Sequence, residues 1–283
     1  MCTIGNVFSP NNQGMKGSMS QRIVFKQCDL MGKTVFYEPQ IATGTEGIRY
    51  MPFLRKGSSG PWSGVNEYGV SFVAADSYIN ETGKAQMTGE KNGSIFDAYL
   101  KIIAGYKTAR EAANYMKAFY QNDFKEPDIL MIADFDDCFF IESWNGKVQM
   151  VERPSGFFAS TNHFRMIYNA VPYRSNHSTY LRLQRAESIL QSSPGKAGVE
   201  QLLCDEYYGK TVWSICRTAQ DVPAEEEPFF TQASVIFWLN KNLSLRADKI
   251  SVDIDYVING NPCNGEWKHI HNAFNLTNKI KEK

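Results

Sequence analysis

No stretch of the sequence approaches the roughly 18–20 consecutive apolar residues that a bilayer-spanning helix requires, and no charged-then-apolar leader opens it. Neither a membrane span nor a secreted, disulfide-built scaffold is therefore expected, and a cytoplasmic location follows by default. Charge of one sign is also lacking. Thirty basic and thirty acidic residues cancel, which removes the electrostatic case for nucleic acid or a membrane surface as partner. Histidine is scarce, at 4, and there is no HExxH, no GxSxG elbow and no Gly-rich phosphate loop. Six cysteines are present, Cys2, Cys28, Cys138, Cys204, Cys216 and Cys263. None forms a CxxC pair or stands at zinc-ligand spacing from a histidine, so neither a metal nor another cofactor is expected.

What is present supports a folded enzyme-sized chain. In 283 residues, 43% are hydrophobic and 13% aromatic, enough for a sizeable core. Length alone allows about two domains or one large one. TIGNVF, RIVFKQCDL, KTVFYEPQI and GVSFVAADSY read as strands, and WSGVNEYG has turn chemistry. From Ser94, a plausible helix cap, the period becomes helical, with Ile95, Tyr99, Ile102 and Ile103 and then Ala112, Met116 and Phe119; the Gly105–Thr108 region divides two helices. DILMIADFDDCFFIESWNGKVQMVERP reads as two or three strands, with DFDD and WNGK as tight turns. STYLRLQRAESILQSS is helical. TVWSICR, QASVIFWLN and LSLRADKISVDIDYV return to strand, and DVPAEEEPFF is a charged loop. Strands, helices and strands again, without repeats, predict sheets packed between helical layers in one domain over 1–283.

Cys28, Cys138, Cys204 and Cys216 lie among apolar neighbours and read as small buried hydrophobes. Cys2 has positional meaning. Removal of Met1, which a side chain as small as cysteine permits, would leave a thiol and a free α-amine on one residue. An α-amine titrates at roughly 7.7–8.0, close enough to neutrality to accept the thiol proton. One residue would then be nucleophile and base together.

Six further stretches extend that reading. IVFKQCDL carries Lys26 three before Asp29. GVNEYGVSFVAAD is a turn and strand holding Asn66 and Asp76. ASTNHF contains Asn162, STYLRLQR contains Arg182, and ILMIADFDDCFFIES with QASVIFWLNKNLSL has the look of interior strands. With MCT at the start, this order resembles the cysteine branch of the N-terminal nucleophile (Ntn) hydrolases. More narrowly it resembles the choloylglycine hydrolases, penicillin V acylases and acyl-coenzyme A:6-aminopenicillanate acyltransferase-like (C45) group, which cleave or transfer acyl groups at linear amides. The resemblance covers about residues 2–245.

The resemblance implies a four-layer α+β fold, αββα, with two antiparallel sheets between helical layers. It implies a small acylated substrate, with Cys2 as nucleophile and Asp29 beside its amine. Asn162 would donate a side-chain N–H to the oxyanion, and Arg182 would hold Asp29 or the substrate in place. Lys26 stands where the family usually has arginine; it would keep the positive charge that favours thiolate but lose the bidentate fork. Asn66 and Asp76 would lie on the substrate or oxyanion side, where an ionised Asp76 beside a developing oxyanion is unfavourable. Away from the resemblance, Asp29 and Asn162 are also ordinary turn formers, Lys26 an ordinary solvated lysine and Arg182 an ordinary helix-surface residue. Hydrolysis, acyl transfer and a catalytically silent binding protein stay open. So do the acyl group and a homo-oligomeric state.

Overall fold

Along residues 20–31, side chains alternate between two apolar environments. Val24 and Cys28 join Phe53, Trp62 and Phe237, whereas Ile23 and Phe25 join Ile189, Leu190 and Val199. Residues 129–132 alternate likewise: Ile129 and Met131 enter the first cluster, and Leu130 and Ile132 pack against Ile102, Ala112 and Met116 in a third. Two strands that each bury both faces, sharing one of three cores, require two stacked sheets with a helical layer outside each.

The computed structural model has that arrangement, and describes residues 2–9, 20–77, 93–153, 155–167, 175–218, 229–241 and 250–275. Its strands and helices are β1 (Cys2–Ser9), β2 (Ser20–Met31), β3 (Ala42–Thr43), β4 (Arg49–Phe53), β5 (Ser63–Asn66), β6 (Ser71–Asp76), α1 (Gly93–Gly105) and α2 (Ala109–Asn122). There follow β7 (Asp128–Ala133), β8 (Cys138–Trp144), β9 (Lys147–Glu152), β10 (Gly156–Ser160), α3 (Ser178–Ser192), α4 (Lys196–Leu203), β11 (Phe229–Lys241), β12 (Ile250–Ile258) and β13 (Lys268–Ile270). One antiparallel sheet runs β10-β1-β2-β11-β12-β13 and the other β3-β4-β5-β6-β7-β8-β9. With α1 and α2 outside the second sheet and α3 and α4 outside the first, this is the αββα sandwich expected above. Among the described residues no helix is long and apolar enough to cross a membrane.

The predicted turns hold for local reasons. In DFDD the Asp134 carboxylate accepts the backbone N–H groups of Asp136 at 2.9 Å and Asp137 at 2.7 Å, closing the β7–β8 connection as an Asx turn. In WNGK, Asn145 (φ 51) and Gly146 (φ 78) take the left-handed conformations of a tight hairpin. The two-helix reading also holds, with Thr108 capping α2 by accepting from Glu111 N–H.

Two expected strands and one expected turn differ. KTVFYEPQI is irregular except for one bridge between Phe36 and Arg55. Phe36 is buried between Val35 and Tyr37, each 50% exposed, and the side chain of Asn259 takes the part of a partner strand, accepting from Phe36 N–H and donating to its carbonyl. TVWSICR is a run of turns: the hydroxyls of Thr211 and Ser214 donate to the carbonyls of Tyr208 and Gly209, competing with any ladder. WSGVNEYG, read as a turn, begins as β5 before turning at Asn66. Helix α4 was not expected. Cys204 is exposed rather than buried. Of LSLRADKISVDIDYV, residues 243–249 lie outside the described residues, as does Met1.

Candidate active site

Cys2 opens β1, the strand between β10 and β2. Its backbone N–H donates to Asn162 Oδ1 at 2.8 Å, and its carbonyl accepts from Arg182 Nη1 at 2.8 Å. Asn162 lies two residues beyond the end of β10, where the pairing Ile4↔Ser160, extended by two, faces Cys2. Arg182 is fully buried on α3 and also donates to Asn162 Oδ1 at 2.9 Å and to Thr3 Oγ1 at 3.1 Å. One amide oxygen therefore receives both the nitrogen of Cys2 and a guanidinium. Asn162 is itself held at both ends: its N–H donates to Thr179 Oγ1 at 2.9 Å, and its Nδ2 to the Asp76 carbonyl at 2.6 Å.

The Cys2 side chain points into the core between the sheets, directly opposite Cys28 on β2. Lys26, two residues before Cys28, points the same way. Its Nζ crosses to the second sheet and donates to the carbonyls of Ala74 at 2.6 Å and Trp62 at 3.1 Å. A buried lysine survives there because its ammonium is hydrogen-bonded on the far side. The hydrogen bond with Cys28 is the largest influence lowering the Cys2 pKa below that of an ordinary thiol. The charge of Lys26 acts in the same direction, against burial and Asp76. Cys28 is raised correspondingly, chiefly by the same hydrogen bond. The two thiols are thus shifted in opposite directions, Cys2 down and Cys28 up.

No protein-family model matches the chain. No curated protein matches it in sequence. Solved structures do match. A variant of conjugated bile acid hydrolase from Clostridium perfringens is 9% identical with a TM-score of 0.48, over 94% of this chain and 96% of that one. The Caenorhabditis elegans ortholog of N-acylethanolamine-hydrolyzing acid amidase is 12% identical with a TM-score of 0.50, over 87% and 95%. The chain has the Ntn-hydrolase fold.

Within that Ntn fold the expected residues separate into three groups. Cys2, Asn162, Arg182, Lys26 and the Asp76 backbone come together as described. Asp29 follows Cys28 but faces the other side of the sheet, toward α3. It accepts from Thr231 Oγ1 at 2.7 Å and lies 3.4 Å from Arg217 Nε. Arg217 Nη2 in turn donates to Ser178 Oγ, which also receives Arg182 Nε, so Asp29 is linked to the Cys2 carbonyl through two arginines. Asn66 lies elsewhere. Its amide donates to the carbonyls of Ile103 and Tyr106, and its oxygen accepts from Tyr68 and Val70 N–H. These bonds close the β5–β6 turn and anchor the end of α1. They stand about 20 Å from Asp76 along β6, at roughly 3.3 Å per residue.

Four residues of this arrangement were missed: Cys28, Thr179, Arg217 and Glu142. Cys28 was legible as the inward position two after Lys26. Glu142 is buried in β8, and its carboxylate accepts the N–H groups of Arg165 at 2.5 Å, Met166 at 2.7 Å and Ile167 at 3.0 Å. It thereby fixes the segment that follows Asn162 and His163; nothing in an apolar strand sequence signals that task.

Two predictions arise from these groups. The rate of Cys2 alkylation should rise with pH well below the ordinary thiol range; Cys28→Ala should shift that profile upward, and Lys26→Met should do so by less. Iodoacetamide labelling followed peptide by peptide measures both. His163 is 7% exposed and meets the hydroxyls of Thr161 at 3.2 Å and Thr179 at 3.0 Å. Burial first, and the charges of Arg165 and Arg182 next, lower its pKa to about 4, so it is neutral at pH 7 in the fold. The unfolded chain takes up a proton at about 6.5. Stability therefore falls as pH drops from about 6.5 to about 4, by up to about 3 kcal/mol. Urea unfolding across that range should show the loss, and His163→Gln should flatten it.

Proposed function

We propose that the chain, as one domain, is a cysteine-nucleophile amidohydrolase that cleaves the linear amide of a small acylated substrate through an acyl-enzyme on Cys2. The observation that carries this reading is the pairing of the Cys2 nitrogen with Asn162 Oδ1 at 2.8 Å. Once Met1 is removed, that nitrogen is an α-amine. Donating one hydrogen to Asn162 leaves its lone pair for the thiol proton, and the adjacent Arg182 guanidinium disfavours a second positive charge and so keeps the amine in its neutral, proton-accepting form.

The thiolate, supported by Cys28 and Lys26, attacks the amide carbon. Asn162 Nδ2, oriented by the Asp76 carbonyl, is the side-chain donor assigned to the oxyanion. The α-ammonium returns its proton to the leaving amine. Water then attacks the thioester, with the same amine as base, and releases the acid. A second amine in place of water would give acyl transfer by the same steps. Asp29 acts at one remove, with Arg217 and Ser178 orienting Arg182.

A catalytically silent binding protein is the competing reading, favoured by the 4% exposure of Cys2. Amine release from a panel of N-acyl amides separates the two. Hydrolysis of at least one member by protein with a free Cys2 amine, and its loss when a residue is kept ahead of Cys2, supports the amidase. Equal behaviour of the two forms, or no hydrolysis with Cys2 unreactive toward small alkylating agents, contradicts it.

A further inference from the structure

Cys2 and Cys28 are direct partners across β1 and β2, and the hydrogen bonds of Cys2 decide which kind of partners. In a strand, the N–H and C=O of one residue point to the same side. For Cys2 both turn away from β2, to Asn162 and Arg182. The two cysteines therefore form a non-hydrogen-bonded pair, the arrangement in which opposed Cα atoms stand about 4.5 Å apart and side chains approach most closely. Disulfides span Cα separations of about 4.4–6.8 Å. The pair meets that requirement near its short end.

We propose that Cys28 is a resolving thiol for Cys2, so that hydrogen peroxide converts the pair to a reversible Cys2–Cys28 disulfide instead of destroying Cys2. The Cys2 thiolate attacks the peroxide O–O bond, giving a sulfenic acid and releasing hydroxide. The sulfur of Cys28 then displaces the hydroxyl group as water, its own proton being lost in the step. In sum two thiols are oxidised and one peroxide is reduced to two waters. The environment favours each step. The Cys28 hydrogen bond and Lys26 sustain the thiolate that reacts first. Oxidation of Cys2 then removes the negative charge that holds the Cys28 proton in place, while Lys26 and Arg55 favour its loss. A small-molecule dithiol reverses the bond.

The linkage does not depend on the amidase reading; only the accompanying loss of turnover does. The test therefore reads covalent chemistry. Reduced protein is treated with a few equivalents of hydrogen peroxide, alkylated, and digested with trypsin without reduction. Lys16, Arg22 and Lys26 separate the two cysteines, so the bond appears as a Cys2 peptide joined to Gln27–Lys33. Intact mass alone is not enough, because the Sγ atoms of Cys216 and Cys263 lie 2.7 Å apart and can also lose two hydrogens.

The expected result is the Cys2–Cys28 linked peptide as the main product at Cys2, fully released by dithiothreitol. Cys28→Ala and Cys28→Ser should each accumulate at least about tenfold more Cys2 sulfinic acid at the same peroxide dose. Sulfinic acid on Cys2 of the unaltered protein without the linked peptide would overturn the proposal. So would a Cys2 left reduced while other cysteines are oxidised.

Discussion

Cys2→Ala is expected to lower turnover of any substrate of this protein by at least about a thousandfold, as removal of a covalent nucleophile does elsewhere. The structure makes the substitution a clean one. The side chain faces the inter-sheet core, and the backbone contacts to Asn162 and Arg182 involve only the nitrogen and carbonyl of residue 2, which alanine keeps. The loss of one buried sulfur should cost only about 1 kcal/mol of stability. A variant that folds, retains the amine and does not turn over would assign the chemistry to the sulfur. Comparable rates in the variant, measured as amine release under saturating substrate, would remove the acyl-enzyme from the account.

Asn162→Ala carries the second large effect, a fall in acylation of about a hundredfold or more. Three groups lose a partner at once: the Cys2 nitrogen, Arg182 Nη2 and the Asp76 carbonyl. Burial of unpaired polar groups adds a stability cost of about 1–3 kcal/mol, so single-turnover rates should be measured where circular dichroism shows the variant folded. Asn162→Asp sorts the two tasks of this side chain. It retains an oxygen for the amine but loses the Nδ2 hydrogens, so a rate near that of the parent would assign Asn162 to holding the amine alone. A loss matching the alanine variant assigns it to donation as well.

Much of the architecture was legible because β-strands buried on both faces write their period into the sequence. Ile23, Val24 and Phe25 in β2, and Ile129 through Ile132 in β7, are apolar at every position, which only a layered fold accommodates. Turns whose chemistry is local, Asp134–Asp137 and Asn145–Gly146, were legible for the same reason. What failed depended on distant partners. Phe36 lacks a strand because Asn259, more than two hundred residues away, supplies its hydrogen bonds.

Within the site, Cys2, Asn162 and Arg182 were marked by the family resemblance, and the structure joins them at one amide oxygen. Lys26 also read, as the lesser alternative, as a solvated lysine. Its burial follows from the alternation that turns Val24 and Cys28 inward, but its acceptors, the carbonyls of Trp62 and Ala74, belong to the other sheet and leave no trace near residue 26. Asn66 shows the reverse case: a Gly-x-Asn-Glu turn is legible as a turn, and the four backbone bonds of its side chain are a turn's work. Arg217 and Glu142 came from segments read as plain strand, since a buried charge is recognised only once its partners are known.

The central claim, a thiol and a free amine sharing Cys2, is tested most directly by weighing the amino-terminal peptide from protein quenched during turnover of an N-acyl amide. The account predicts a peptide that begins at Cys2, with an unblocked amine and the acyl group on its sulfur. An active protein whose terminal peptide still begins with Met1, or an acyl group found on any other residue, would contradict it.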